Sequence, residues 1–237
     1  METAITGIGW VTAQGAGFGG QGRGFAPDNA PLPLLTRKEV FDQPNQRFGR
    51  QSNYSKVGLS AIAFALRDAA MEQWTEKRPV GVIAATRLGC LTTDVDYYET
   101  VLPRGGGLAS PNLFAYTLAN CFLGEAAIQF GLTGSAYVIN DSIGDGLCSV
   151  SMALESLALG ECVTMLAGIC DLPAPPLPGL PAGPTGAVFL VLDTTREGNA
   201  SPYGGLDLAA DGTIRHNGTE VASFIGLVTA CLLCRGT

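Results

Sequence analysis

A single histidine, His216, is all the imidazole this 237-residue sequence contains. Cys231-x-x-Cys234 has the spacing of a redox or zinc pair, but no second pair exists and one histidine does not complete a ligand set. No metal and no cofactor are expected. Basic residues are scarce as well: 14 against 21 acidic ones leave a formal charge of -7, which repels phosphate backbones and anionic lipid surfaces. That balance argues against nucleic acid and membrane surfaces as partners. No basic segment followed by an apolar run and a small-residue cleavage site opens the chain. The longest apolar stretch near the other end, Val221–Leu233, is broken by Ser223, Gly226 and Thr229 and falls short of the ~20 residues that span a bilayer. A soluble, cytoplasmic protein is the expectation.

Charged residues make up only 15% of the chain and hydrophobic ones 46%, enough for the substantial core of one large domain. The seven cysteines lie mostly within apolar stretches and read as reduced, structural thiols. Thr3–Thr12 is rich in β-branched residues and bounded by glycine, which predicts a buried strand. Gly15–Pro33, crowded with Gly, Pro and Asn, predicts a long loop. Its Gly15-x-Gly17-x-x-Gly20 meets the bare dinucleotide fingerprint, but Gly22, Gly24 and Pro27 follow where the motif requires a helix.

Apolar residues at helical spacing over Ser55–Met71 predict an amphipathic helix. A second helix is expected over Leu113–Phe130, stopped by Gly131, and a third over Gly144–Leu159. Strands are expected at Val80–Ala85, Tyr137–Asn140, Cys162–Ala167 and Ala187–Leu192. Alternation of this kind indicates an α/β domain with a mixed or largely parallel sheet. The Gly144–Leu159 segment is apolar around most of its circumference, with only Asp145 and Glu155 charged. Such a helix must be buried nearly all round, and one sheet covers only one side of it.

Several segments, in order, resemble the β-ketoacyl synthases (3-oxoacyl-ACP synthases), which have the thiolase-like fold. Ile5-Thr6-Gly7-Ile8-Gly9-Trp10-Val11-Thr12 is similar to the family's first strand. Ser110-Pro111 with Phe114 and Asn120, then Phe130-Gly131-Leu132-Thr133-Gly134, resembles the helix and turn before its nucleophile strand. Gly160–Gly168 and Gly186–Asp193 resemble the strands that follow. The resemblance implies an N-terminal β-ketoacyl synthase-like domain over residues 1–195, a mixed β-sheet with covering helices, and a short extension over 196–237. Laid on the family pattern without a gap, the nucleophilic cysteine falls on Ile143, and isoleucine forms no thioester. The two histidines of the family's second half have no counterpart here.

The resemblance therefore implies a catalytically impaired, chain-length-factor-like subunit of fatty-acid or polyketide-type biosynthesis, with a homodimer partner, a ketosynthase partner subunit or acyl carrier protein. Without a second half the apolar central helix needs cover, which also points to association. An alternative is an active synthase completed in trans by a second chain. A different class is a serine hydrolase: Ser142 half-matches a nucleophile elbow, with His216 and Asp193 or Asp207 completing the order, although Ser142 as a turn or N-cap residue is the simpler reading. The helix start at Gly144, Asp145 and Gly146 offers amides for an oxyanion, which Asp141 and Asp145 oppose by charge. His216, in Asp211–Gly218, reads as a solvated turn residue. The sequons at Asn199 and Asn217 mean little in a cytoplasmic protein.

Overall fold

The computed structural model describes residues 3–21, 25–28, 30–141, 143–175, 177–180, 183–195 and 201–235. Its centre is β1 (Thr3–Thr12), every residue of which is buried. The strand is flanked by β6 (Gly186–Asp193) along most of its length, by β7 (Gly205–Leu208) at its start and by β2 (Gly15–Phe18) at its end, all antiparallel. On the far side of β6 lie β5 (Thr164–Asp171), β3 (Val80–Thr86) and β4 (Ala136–Asn140), with β3 parallel to both of its neighbours. Beyond β7 come β8 (Ile214–His216) and β9 (Thr219–Glu220), giving the order β4-β3-β5-β6-β1-β7-β8-β9. β4 is therefore an edge strand.

Seven α-helices are described: α1 (Arg37–Val40), α2 (Asn53–Asp68), α3 (Leu91–Val101), α4 (Pro111–Phe114), α5 (Cys121–Phe130), α6 (Leu147–Ala158) and α7 (Phe224–Cys234). They divide between the two faces of the sheet. α2 and α5 share one core with Val11, Val82, Leu166 and Phe189. α6 and α7 share the other with Ile8, Trp10, Met165 and Leu190. Glycine in the first strand has a packing cause: a Cβ on Gly9 would stand 2.1 Å from the Ala65 nitrogen and 2.5 Å from the Ala61 oxygen. The backbone of α2 rests directly on β1, and only glycine permits it.

Four expectations are corrected. Gly15–Phe18, expected as loop, is a strand folded back on β1, because hairpin pairing supplies hydrogen bonds that glycine's weak propensity does not forbid. The helix expected over Leu113–Phe130 is two, α4 and α5, with Ser110 capping the first through its bond from the Leu113 N–H. The central helix begins at Leu147, three residues later than expected, after left-handed Gly144 and Gly146. Finally, α6 is not buried all round. Val150, Ala153, Leu154 and Leu157 are buried, while Leu159 just past its end is 78% exposed.

Part of the cover sought for α6 comes from α7, in the apolar Val221–Leu233 run. The Phe224 N–H bonds the Asp145 carbonyl at 2.8 Å, and a Cβ on Gly146 would come within 2.8 Å of the Phe224 Cβ. Residues 201–235 thus share the sheet and core of the preceding residues. Among the described residues no helix is long and apolar enough to cross a membrane.

Candidate functional site

β4 ends at Asn140, and α6 begins at Leu147 after the left-handed Gly144 and Gly146. The Asp141 N–H bonds the Thr86 carbonyl at 2.8 Å, holding the turn on the end of β3. The Asp141 carboxylate then folds inward: Oδ1 accepts from the Gly144 N–H at 2.9 Å and Oδ2 from the Gly146 N–H at 2.8 Å. Asp145 Oδ1 accepts from the Leu147 N–H at 2.8 Å. A helix start leaves several backbone donors unsatisfied, and here the chain's own carboxylates engage three at the turn and its junction with α6. Of the amides expected to serve an oxyanion at Gly144, Asp145 and Gly146, those of Gly144 and Gly146 are taken by the Asp141 carboxylate.

Ile143 sits in this turn, 84% exposed. Ser142 lies outside the described residues. A cleft of about 360 Å³ beside Ile143 is lined by Asp141, Asp145, Asp211 and Glu220, with no basic side chain among the described residues of its lining. Cys148 is its only sulfur. Burial, and then the Asp141 carboxylate, push the Cys148 thiol up from its ordinary range, so at neutral pH it stays protonated and a poor nucleophile.

Asp141→Ala would leave two turn amides without their acceptor. A loss of about 2–3 kcal/mol in urea unfolding is expected, the cost typical of hydrogen bonds to a charged group. A loss under about 0.5 kcal/mol would show that the turn holds itself without the carboxylate.

His216 is not a solvated turn residue. It ends β8, is 6% exposed, and its Nε2 lies 2.7 Å from the Tyr203 carbonyl oxygen. A carbonyl only accepts, so Nε2 carries the proton and donates. The nitrogen a hydrolase would use as a base is thus engaged in holding the segment before β7. Asp193 accepts instead from the backbone and hydroxyl of Thr195, and Asp207 sits on β7 opposite Arg215. Among the described residues no hydrogen bond joins either acid to His216, whose ring contacts Tyr203, Asn217 and Cys231.

His216→Ala is expected to cost about 1–3 kcal/mol of stability by leaving a buried carbonyl unpaired. It should leave any background ester hydrolysis unchanged. Loss of a measurable esterase activity in a folded variant would contradict the structural role. Cys231 is buried and Cys234 exposed, and among the described residues no group of three His, Cys, Asp or Glu side chains is placed to hold a metal.

The charge of Asp141 is plain in the sequence, while its hydrogen bonds to the turn are not. The available signal was Asp-x-x-Gly-x-Gly at a strand end, where a short acidic side chain can bond amides a few residues on.

A mixed sheet with helices on both faces, in which a strand ends in a tight turn before an apolar helix, is the thiolase-like architecture. The chain belongs to the beta-ketoacyl synthase family: the sequence model for the beta-ketoacyl synthase N-terminal domain matches residues 35–215. A putative polyketide beta-ketoacyl synthase 1 of Streptomyces virginiae is 29% identical over 143 residues, 57% of this chain and 33% of that protein. The matched segment spans about a third of the length of the curated relatives.

Among solved structures, a type II polyketide ketosynthase in complex with its acyl-carrier protein matches 81% of this chain and 63% of its own, with a TM-score of 0.64 at 17% identity. A chain of the complex between a ketosynthase and its chain length factor from Xenorhabdus doucetiae matches 81% of this chain and 79% of its own, with a TM-score of 0.58 at 16% identity.

Proposed function

We infer that this chain is a non-catalytic, chain-length-factor-like subunit that pairs with a full ketosynthase in fatty-acid or polyketide-type biosynthesis. The observation that carries this reading is the occupied turn. Where the family resemblance puts a nucleophile stands exposed Ile143, and Asp141 takes the Gly144 and Gly146 amides. A condensing centre needs a thiolate and free donors for the developing oxyanion. The acid-lined cleft also repels an anionic carrier arm, which supports acyl-carrier docking on the partner's side of the pair.

The surface supports pairing. β4 is an edge strand whose residues are half-buried or exposed along its length, and an unpaired edge is a template for adding a strand from another chain. Beside it on α5, Ile128 is 61% exposed. The Xenorhabdus doucetiae complex, which pairs a ketosynthase with its chain length factor, has a chain of this fold that is matched over most of its length.

Co-expression with a full-length ketosynthase from the same organism, followed by size-exclusion chromatography and intact-mass measurement after incubation with acyl carrier substrate, tests the proposal. A stable complex with the acyl group on the ketosynthase alone is the expected result. An acyl adduct on this chain, or a chain that stays monomeric beside the ketosynthase, would overturn it. Condensation that requires this chain together with the cysteine and histidines of a second chain would favour the active synthase completed in trans.

A further inference from the structure

On the sheet face opposite α6, the segment from Pro31 to Leu35 borders a cavity of about 460 Å³. The other walls include Val57 of α2 and Leu172 just after β5. The volume falls within the ~300–1,000 Å³ typical of small-molecule sites. Leu32, Leu35, Val57 and Leu172 belong to or pack on the α2 core, whereas α6 belongs to the other core. The cavity is therefore separate from the turn at Ile143. Leu34, 84% exposed, marks where it opens to solvent.

The polar groups in this lining are few and specific. Among the described residues Lys56 is its one charged residue, and no acidic side chain shares the lining. Neither the Lys56 ammonium nor the Asn53 amide has a side-chain hydrogen bond or ion pair among the described residues. In a chain of net charge -7, an apolar cavity with a lone cation is the reverse of the acid-lined cleft beside Ile143. Pro31 and Pro33 fix the backbone φ on either side of Leu32, which limits the ordering that a ligand must impose.

We propose that this cavity binds an amphipathic monocarboxylate, with an aliphatic chain against Leu32, Leu35, Val57 and Leu172 and a carboxylate paired to Lys56 and accepting from the Asn53 amide. A neutral lipid would leave the ammonium without a counter-ion. A cationic amphiphile would be repelled by it. A single carboxylate matches one ammonium and one amide donor in charge and in hydrogen bonds. The site is independent of the ketosynthase pairing, since it needs no residue of the turn or of β4.

Isothermal titration calorimetry of the full chain with decanoate below its micellar range, and in parallel with decanol and decyltrimethylammonium, tests the proposal. One saturable decanoate site is expected, weakened about tenfold or more in Lys56→Gln and held within about threefold in Lys56→Arg, as loss and retention of one charge-assisted contact require. The ammonium amphiphile should show no saturable binding. Val57→Trp, which fills the cavity, should abolish decanoate binding. Should that variant misfold by circular dichroism, the Lys56 pair, on a half-buried side chain, still decides. Equal decanoate affinity in Lys56→Gln, equal binding of the cationic amphiphile, or no saturable site at all would overturn it.

Discussion

Asp68→Ala is expected to lower the melting temperature by roughly 10 °C, the largest effect of any single substitution considered. The Asp68 side chain, only 2% exposed, gathers donors from four distant parts of the chain. The Ile8 N–H reaches it at 2.9 Å, the Gly20 N–H at 2.7 Å, the Tyr203 hydroxyl at 2.5 Å and Arg235 Nη1 at 3.2 Å. Arg235 also donates to the Tyr203 oxygen. Removing the carboxylate strands the buried Ile8 amide and a buried phenol at once, and releases the exposed Gly20 amide to water. Breaking a buried charged network costs about 3–5 kcal/mol, and a domain of this size loses about 2–4 °C per kcal/mol.

Arg235→Ala should cost far less, under about 1 kcal/mol, because its side chain is 39% exposed and water replaces the lost contact. Urea unfolding of both variants measures the contrast. Hydrogen exchange adds a spatial check, since the amides of α7 should lose protection in Asp68→Ala along with those of β1. Similar losses in the two variants would show that the ion pair, and not the carboxylate's set of hydrogen bonds, holds the C-terminal helix down.

What could be read in the sequence divides along physical lines. Local signals carried β1, where glycines alternate with β-branched residues, and α2, whose apolar positions recur at helical spacing. They also carried the end of α5 at Gly131, which adopts the left-handed conformation. The β2 hairpin was hidden because Gly15 and Gly17 have no strand propensity, and only pairing with β1 makes them a strand. α3 went unseen because Thr92, Thr93, Val95 and Val101 are poor helix formers without a clear apolar stripe. α7 was visible as an apolar run and was weighed only as a membrane segment. That it lies against α6 is a tertiary fact that no window of sequence holds. At the site, the strand ending at Asn140 and the apolar helix after it were legible from local pattern. The consumption of the turn's amides by Asp141 depended on backbone angles at Gly144 and Gly146 and was not.

Val138→Pro is expected to abolish association with a ketosynthase partner while leaving the fold intact, and the reason lies in strand parity. The Ser135 carbonyl accepts from Val82 and the Asp141 N–H donates to Thr86, so the odd-numbered residues on either side of β4 turn toward β3. In a strand the backbone groups of alternate residues point to opposite neighbours. The N–H groups of Ala136, Val138 and Asn140 therefore line the open edge. Proline at 138 removes the central outward donor and sets its ring against any added strand, and edge positions tolerate proline because no internal ladder bond is lost.

A complex held by strand addition should weaken by at least a hundredfold, about 2.7 kcal/mol on the affinity scale, while thermal unfolding of the isolated chain shifts by only a few degrees. Ile139→Pro is the matched control. Its N–H faces β3, so that variant should lose stability first and binding only as a consequence. Size-exclusion chromatography and calorimetry on the two variants separate the cases. Unimpaired binding by folded Val138→Pro would move the partner surface away from β4, toward the exposed apolar residues at the far ends of α6 and α7, where Leu159 is 78% and Leu233 71% exposed.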